Sequence, residues 1–334
     1  MRIVVALGGN ALLRRGEPLD PERQRAAAAV AARSLAPLAA AHELVVTHGN
    51  GPQVGLLALQ AAALDPGAPV GLDLLGAESE GMIGYLLEQE LANALAGRGS
   101  ESGDARVATL LTRTVVDRDD PAFARPTKPI GPVYDAGTAA RLAAARGWVI
   151  APDPTGAGRH RRVVASPEPR RIVALPAIRE LLGAGFVVVC AGGGGIPVTE
   201  RRDTRGAVVH EGVDAVVDKD LASALLAREL GADVLLLLTD QPGVYDRFGA
   251  PGAAVLARVT PAALRSRALD PGSMGPKAEA AARFAETAGN WAGIGALGDA
   301  VALVDGRAGT VVTADRRPRG PDPGRGPGSR AGSP

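Results

Sequence analysis

The chain has 334 residues, of which 46% are hydrophobic, 22% charged and only 3% aromatic, with a formal net charge of +1. That length supports one large core or two modest ones and excludes a short secreted scaffold or a disordered polymer. The near-zero charge excludes a nucleic-acid binder, which needs a clustered basic excess. Residues 315–334 carry five Arg and two Asp, so the remaining body is mildly acidic.

Taken in chain order, the first apolar run, Ile3 to Leu7, is too short for a signal-peptide core. Arg14-Arg15 has no apolar stretch behind it and reads as loop rather than as an export signal. No segment approaches the roughly 18 apolar residues of a membrane span. Together with Cys190 as the single cysteine, which excludes a disulfide framework and a Cys-rich zinc site, this predicts a soluble cytoplasmic protein with no membrane partner.

Strands are predicted at Ile3 to Leu7, Glu43 to Thr47, Arg106 to Leu111, Phe186 to Ala191, Asp233 to Thr239, Trp291 to Leu297 and Thr310 to Val312. Between them, Pro21 to Ala41, Gln53 to Leu64, Leu74 to Ala96, Pro176 to Ala184, Asp218 to Leu230 and Lys277 to Ala288 have helical length and spacing. Continuous apolar strands alternating with helices predict an α/β fold with a mostly parallel sheet covered on both faces. Asp117 to Pro169, dense in Pro, Gly and Arg, reads as an inserted subdomain or lid. Arg316 to Pro334 lacks periodicity and is expected to be disordered.

Three predicted strand ends carry glycine clusters: Gly8-Gly9-Asn10, then His48-Gly49-Asn50-Gly51, then Gly192-Gly193-Gly194-Gly195. Glycine lets backbone amides approach a ligand, and a following helix N-terminus adds positive potential, so the clusters predict an oxyanion or phosphate cradle. Tight turns would need the same glycines for geometry alone. No lysine follows a glycine as in a Walker A loop, and neither the dinucleotide fingerprint nor the protein-kinase signatures are present.

Of 37 basic residues only Lys128, Lys219 and Lys277 are lysine. In so arginine-rich a chain, the survivors mark positions where a compact ammonium is needed and a planar guanidinium would not serve. Lys219, in Asp218-Lys219-Asp220, is expected to meet a transferred phosphoryl group, and Lys277, behind Gly-Ser-Met-Gly-Pro, to reach nucleotide phosphates. Lys128 is expected in a stiff loop that swings over a small acceptor. Asp220 holds the lysines or assists Mg²⁺; as a bland alternative it is a carboxylate favoured by a helix N-terminus.

The motifs ALGGNALL (6–13), THGNGPQVG (47–55), ESEGMIGYLLEQEL (78–91), PTKPIGP (126–132), CAGGGGIPV (190–198), AVVDKDLAS (215–223), LLTDQPGVY (237–245) and PGSMGPKAEAA (271–281) resemble, in order, those of carbamate kinase. That family belongs to the amino acid kinase superfamily, and the resemblance spans about residues 2 to 313. It implies a three-layer α/β/α sandwich in residues 1–314, with an acceptor-side lobe of about 1–209, a protruding subdomain of about 117–169 and a nucleotide-side lobe of about 210–314. It further implies a homodimer, attributed here to the apolar helix Leu74 to Leu95 with Met82, Ile83, Leu86, Leu87, Leu91 and Leu95. The implied reaction is Mg²⁺-dependent phosphoryl transfer between ATP and carbamate, running toward ATP in arginine or other carbamoyl phosphate catabolism.

By the same resemblance, Lys128, Lys219, Lys277 and Asp220 are catalytic, and Gly8, Gly9, Asn10, Gly49, Asn50, Gly51, Gly192, Gly193 and Gly194 bind substrate and phosphate. Thr239, Asp240, Tyr245, Met274 and Lys277 bind nucleotide, and Mg²⁺ is held mainly by the nucleotide phosphates, with no protein ligand assigned. The chain departs from the family pattern at Arg159, His160 and Ala165 in the insertion and at Ala174 beyond it, which touches lid packing and acceptor choice. A related kinase of another small carboxylate or phosphonate, and an inactive nucleotide-binding module, remain as alternatives. His48 is expected to bond loop backbone, and His42, His160 and His210 to be structural or on the surface.

Overall fold

In the computed structural model, which describes residues 1–9, 20–64, 70–96, 105–153, 156, 158–270, 272–287 and 289–314, the predicted apolar runs form the strands of one large sheet. The first strands are β1 (Arg2–Leu7), β2 (Glu43–His48), β3 (Val107–Leu110), β4 (Arg113–Val116), β5 (Lys128–Asp135), β6 (Ile150–Pro152) and β7 (Arg159–Val164). They are followed by β8 (Pro169–Ile172), β9 (Val187–Cys190), β10 (Ile196–Arg202), β11 (Val208–Gly212), β12 (Val234–Thr239), β13 (Arg258–Val259), β14 (Trp291–Ala296) and β15 (Thr310–Val312). The large sheet has the order β13-β15-β14-β12-β1-β2-β9-β3. It is parallel from β14 through β3, and β15 alone runs antiparallel to β14.

The helices are α1 (Pro21–Ala41), α2 (Gly51–Leu64), α3 (Leu72–Ala96), α4 (Ala136–Arg146), α5 (Leu175–Gly183), α6 (Lys219–Leu230), α7 (Pro261–Arg265), α8 (Met274–Ala285) and α9 (Ala300–Val304). Side chains alternate across β1, so its apolar run serves two cores. Ile3, Val5 and Leu7 pack with Ala31 and Leu35 of α1 and Ile83, Leu87 and Leu91 of α3. Val4 and Ala6 face Ile178 of α5, Leu226 of α6 and Phe284 of α8. The result is an α/β/α sandwich.

Two features were not predicted and one expectation needs correction. The insertion carries its own sheet: β5, β7 and β6 form a three-stranded antiparallel sheet, with α4 behind Asp135, whose side chain caps it by accepting from Thr138 N at 2.9 Å. A further sheet, β11-β10-β4-β8, was also not predicted, because strands such as Pro169–Ile172 and Ile196–Arg202 are short or carry Arg in place of an apolar run. Finally, Ile83, Leu87 and Leu91 are buried within the protomer, so they add nothing to an association surface on α3. Its exposed large apolar side chains are Leu74, Met82 and Tyr85.

No helix among the described residues is long and apolar enough to cross a membrane. Asn10, Arg14-Arg15 and the tail beyond residue 314 lie outside the described residues.

Candidate functional site

The helix α6 begins at Lys219 because Asp218 caps it: Oδ1 of Asp218 accepts from the amides of Asp220 at 2.9 Å and Leu221 at 3.2 Å. Lys219 and Asp220 therefore sit in the first turn, at the positive end of the helix dipole. Asp220 is buried, and its two oxygens take different lysines: Oδ1 accepts from Lys219 Nζ at 2.5 Å and Oδ2 from Lys277 Nζ at 3.3 Å. Lys277 comes from the first turn of α8, whose small buried residues Ala278, Ala280 and Ala281 allow close packing.

Two ammonium groups around one carboxylate leave an excess positive charge in a desolvated place. Burial pushes the Lys219 ammonium below the usual lysine range, opposed by Asp220 and reinforced by Lys277. An anion entering here would meet donors that are already oriented. Among the described residues no group of three or more His, Cys, Asp or Glu could hold a metal ion, and both oxygens of Asp220 are engaged by lysines.

The loop ends of β1 and β2 converge on the same spot. A Cβ on Gly49 would lie 3.2 Å from the Gly9 amide nitrogen and 3.4 Å from Cδ of Lys219, so any side chain there would crowd both. Asn50 donates from Nδ2 to Ser79 Oγ at 2.8 Å, and a side chain on Gly193 would collide with the Asn50 carboxamide. The loop after β9 holds Ala191, Gly193, Gly194 and Gly195 at positive φ, a run that needs glycine at nearly every position.

Several amides of the glycine clusters donate within the fold. Gly8 N donates to Leu238 O, Gly49 N to Leu7 O, Gly192 N to Oε1 of Glu80 and Gly194 N to Ala191 O, at 3.0, 3.1, 2.8 and 3.1 Å. Gly195 N likewise donates to Gly192 O at 3.0 Å. Gly9, Asn50, Gly51 and Gly193 are the remaining described members of the cradle set.

Lys128 also differs from expectation. It does not sit in a free loop but starts β5, opposite Val164, and its Nζ donates to Oδ2 of Asp218 at 2.8 Å. Thr239 and Asp240 end β12, joined by a hydrogen bond of 3.0 Å from Thr239 Oγ1 to Asp240 Oδ1. Tyr245 bridges Val255 and meets the edge of the Phe248 ring at 5.6 Å between centroids. Met274 opens α8 and packs against the core beneath it.

Two buried residues around the cradle were not singled out from sequence as site residues. Glu80 is almost fully buried on α3; besides Gly192 N it accepts from Thr112 N at 3.2 Å. Burial pushes its carboxyl up to about 8 against those two hydrogen bonds. Asp218 was legible as a helix cap, but its partner Lys128 lies 90 residues away. His48 is fully buried with Nδ1 against Gly49 O at 3.2 Å, as expected for a residue bonding loop backbone, and burial lowers it to about 4. Cys190 is buried, and burial with the nearby Glu80 charge raises its thiol far above the usual range. His210 pairs with Glu200 at 3.0 Å near the surface.

The chain and its fold have counterparts among known proteins. Residues 1–290 match the model of the amino acid kinase family. A carbamate kinase of Rhizobium meliloti is 51% identical over 313 residues, covering 94% of this chain and 93% of that protein. One from Haemophilus influenzae is 47% identical over 315 residues, covering 94% and 97%. The solved structure of a carbamate kinase from Giardia lamblia bound to AMP-PNP superposes with a TM-score of 0.82 at 36% identity, covering 94% of this chain and 98% of that one. With such identity along nearly its whole length, the chain belongs to the amino acid kinase family and, within it, to the carbamate kinases.

Proposed function

We propose that this protein transfers a phosphoryl group between ATP and carbamate, ATP + carbamate ⇌ ADP + carbamoyl phosphate, and works in the cytoplasm toward ATP. The observation that carries this reading is the Asp220 carboxylate shared by Lys219 and Lys277, a preoriented pair of cations in a buried place. Phosphoryl transfer needs in-line positioning and cations against the charge that spreads over the equatorial oxygens, and little covalent work from the protein. Lys219 meets the transferred group, Lys277 the nucleotide phosphates, and Asp220 holds both ammonium groups at their stations. No general base is required, since carbamate is already an anion with a nucleophilic oxygen.

The nucleotide lies over the end of β12, against Thr239, Asp240, Tyr245 and Met274, in a lobe of about 210–314. The acceptor lies on the side of Gly9, Asn50, Gly51 and Gly193, beneath the inserted sheet that brings Lys128; Asn10, also expected to bind it, lies outside the described residues. Mg²⁺, carried by the nucleotide phosphates, would neutralise charge on their oxygens; an Asp220 carboxylate already engaged by two lysines, and no acidic cluster among the described residues, fit that division of labour. The chain is proposed to dimerise through the exposed residues Leu74, Met82 and Tyr85 of α3. A monomeric mass by light scattering at micromolar concentration would refute that.

Purified protein supplied with Mg·ADP and carbamoyl phosphate is expected to form ATP. Folded protein giving no ATP above a blank overturns the assignment, and a screen of small carboxylates with ATP then finds the acceptor.

A further inference from the structure

The two oxygens of Asp218 serve two parts of the molecule. Oδ1 caps α6, the helix that presents Lys219 and Asp220. Oδ2 accepts from Lys128, the first residue of the inserted sheet. Burial opposes ionisation of this carboxyl, yet the Lys128 and Lys219 ammonium groups and the cap amides outweigh it and hold Asp218 below the usual carboxylate range.

Besides this ion pair, the seat beneath the inserted sheet has a backbone hydrogen bond from Val216 N to Ala165 O at 3.0 Å, just past the end of β7. Ile130 and Val164 pack in a small apolar cluster with Val54, Ala58, Leu72 and Val216, and Gly131 presses its backbone against Gly55. These contacts hold the backbone of the sheet down without fixing where the Lys128 side chain points. A charge-assisted hydrogen bond does fix that direction. Both side chains keep some access, 24% for Lys128 and 15% for Asp218, and an ammonium held by one hydrogen bond retains two further N–H donors.

We infer that Asp218 is a positioning residue: by capping α6 with one oxygen and holding Lys128 with the other, it registers the acceptor-side lysine of the inserted sheet against Lys219 and Asp220. This rests on the phosphotransfer reading. The acceptor is met by the donors that Lys128 has left, so the bond to Asp218 sets where they point.

Asp218→Asn separates the two jobs, because Asn remains a good helix cap but turns an amide N–H toward the Lys128 ammonium. Hydrogen exchange on the full-length protein without substrates, and kinetics with carbamoyl phosphate and ADP, test it. In Asp218→Asn, amides of β5 and β7 are expected to exchange faster by on the order of tenfold while the first turn of α6 keeps its protection. KM for carbamoyl phosphate should rise by on the order of tenfold, with KM for ADP within about twofold.

Asp218→Ala should loosen both the inserted sheet and α6. Lys128→Met should loosen the sheet as Asp218→Asn does, and the double variant Lys128→Met/Asp218→Asn no further. Exchange of β5 and β7 within about twofold of the parent, additive effects in the double variant, or equal rises in both KM values would each overturn the inference. A parent with no activity would overturn the proposed reaction alone, and the exchange comparison would still decide the role of Asp218.

Discussion

The lysines at the heart of the sandwich and the lysine of the inserted sheet are the same residue type held in different ways. Lys219 and Lys277 leave from first turns of α6 and α8, which pack side by side on the central sheet, and both converge on one buried carboxylate. Lys128 leaves from the edge of a small sheet whose seat is an apolar cluster, one close glycine pair, one backbone hydrogen bond and one ion pair. Core packing positions the first two lysines, so moving either would disturb much of the fold. The third is registered by a few contacts and can adjust, which suits a group that must admit and release an acceptor.

The sharpest way to break this comparison is Lys219→Arg. If the interior needs a compact ammonium, this variant should lose on the order of 10² to 10³ in kcat, nearly as much as Lys219→Ala, with ADP affinity changed far less. Steady-state kinetics within about threefold of the parent would refute the role of Lys219 and the reasoning from lysine scarcity. On the other side, Gly55→Ala drives a methyl group into the backbone of Gly131. It should cost about 1–3 kcal/mol in urea unfolding and raise exchange in β5 while leaving α6 and α8 protected; an unperturbed β5 would show that the sheet is not seated there.

Glu80 probes the ground between the regions, since it ties α3 to the glycine loop after β9. Its carboxyl is raised by burial to about 8 in the folded protein from the ordinary glutamate value of 4.5. A raised carboxylate favours the folded state below the lower value, and that contribution is lost as pH climbs through the higher one, because the unfolded chain ionises first. The parent should therefore lose stability between pH 4.5 and 8 by up to about 1.4 kcal/mol per pH unit from this group. Glu80→Gln should flatten the slope, and parallel curves for the two proteins would mean that Glu80 is ionised throughout. The smallest effect is expected at the surface, where Arg265 pairs with Glu279 and Glu286. Arg265→Ala should change stability by less than about 1 kcal/mol and leave kcat unaltered.

Much of the sandwich was legible because its signals are local. Val234–Thr239 can only be a buried strand of an α/β sheet, and Pro21–Ala41 carries Asp20 as cap, Pro at its start and apolar spacing throughout. The inserted sheet was not legible, because Lys128–Asp135 and Arg159–Val164 mix Arg, Pro and Gly with few apolar residues and gain their strand character from pairing with one another. The glycine clusters were found, but their amides at 8, 49, 192 and 194 are spent within the fold. Only neighbours distant in sequence, such as Leu238 and Glu80, reveal that.

By itself, the sequence determined the layered α/β class and the positions of the main strands and helices, and the rarity of lysine pointed to three candidate cations. Those properties follow from periodicity and residue chemistry, which are read over a few residues at a time. Tertiary structure decided which groups meet: Asp220 with Lys277, 57 residues apart, and Asp218 with Lys128, 90 residues apart. Such pairings depend on the packing of whole helices and sheets, and a carboxylate has the same chemistry in the sequence whether its partner is water or a buried ammonium.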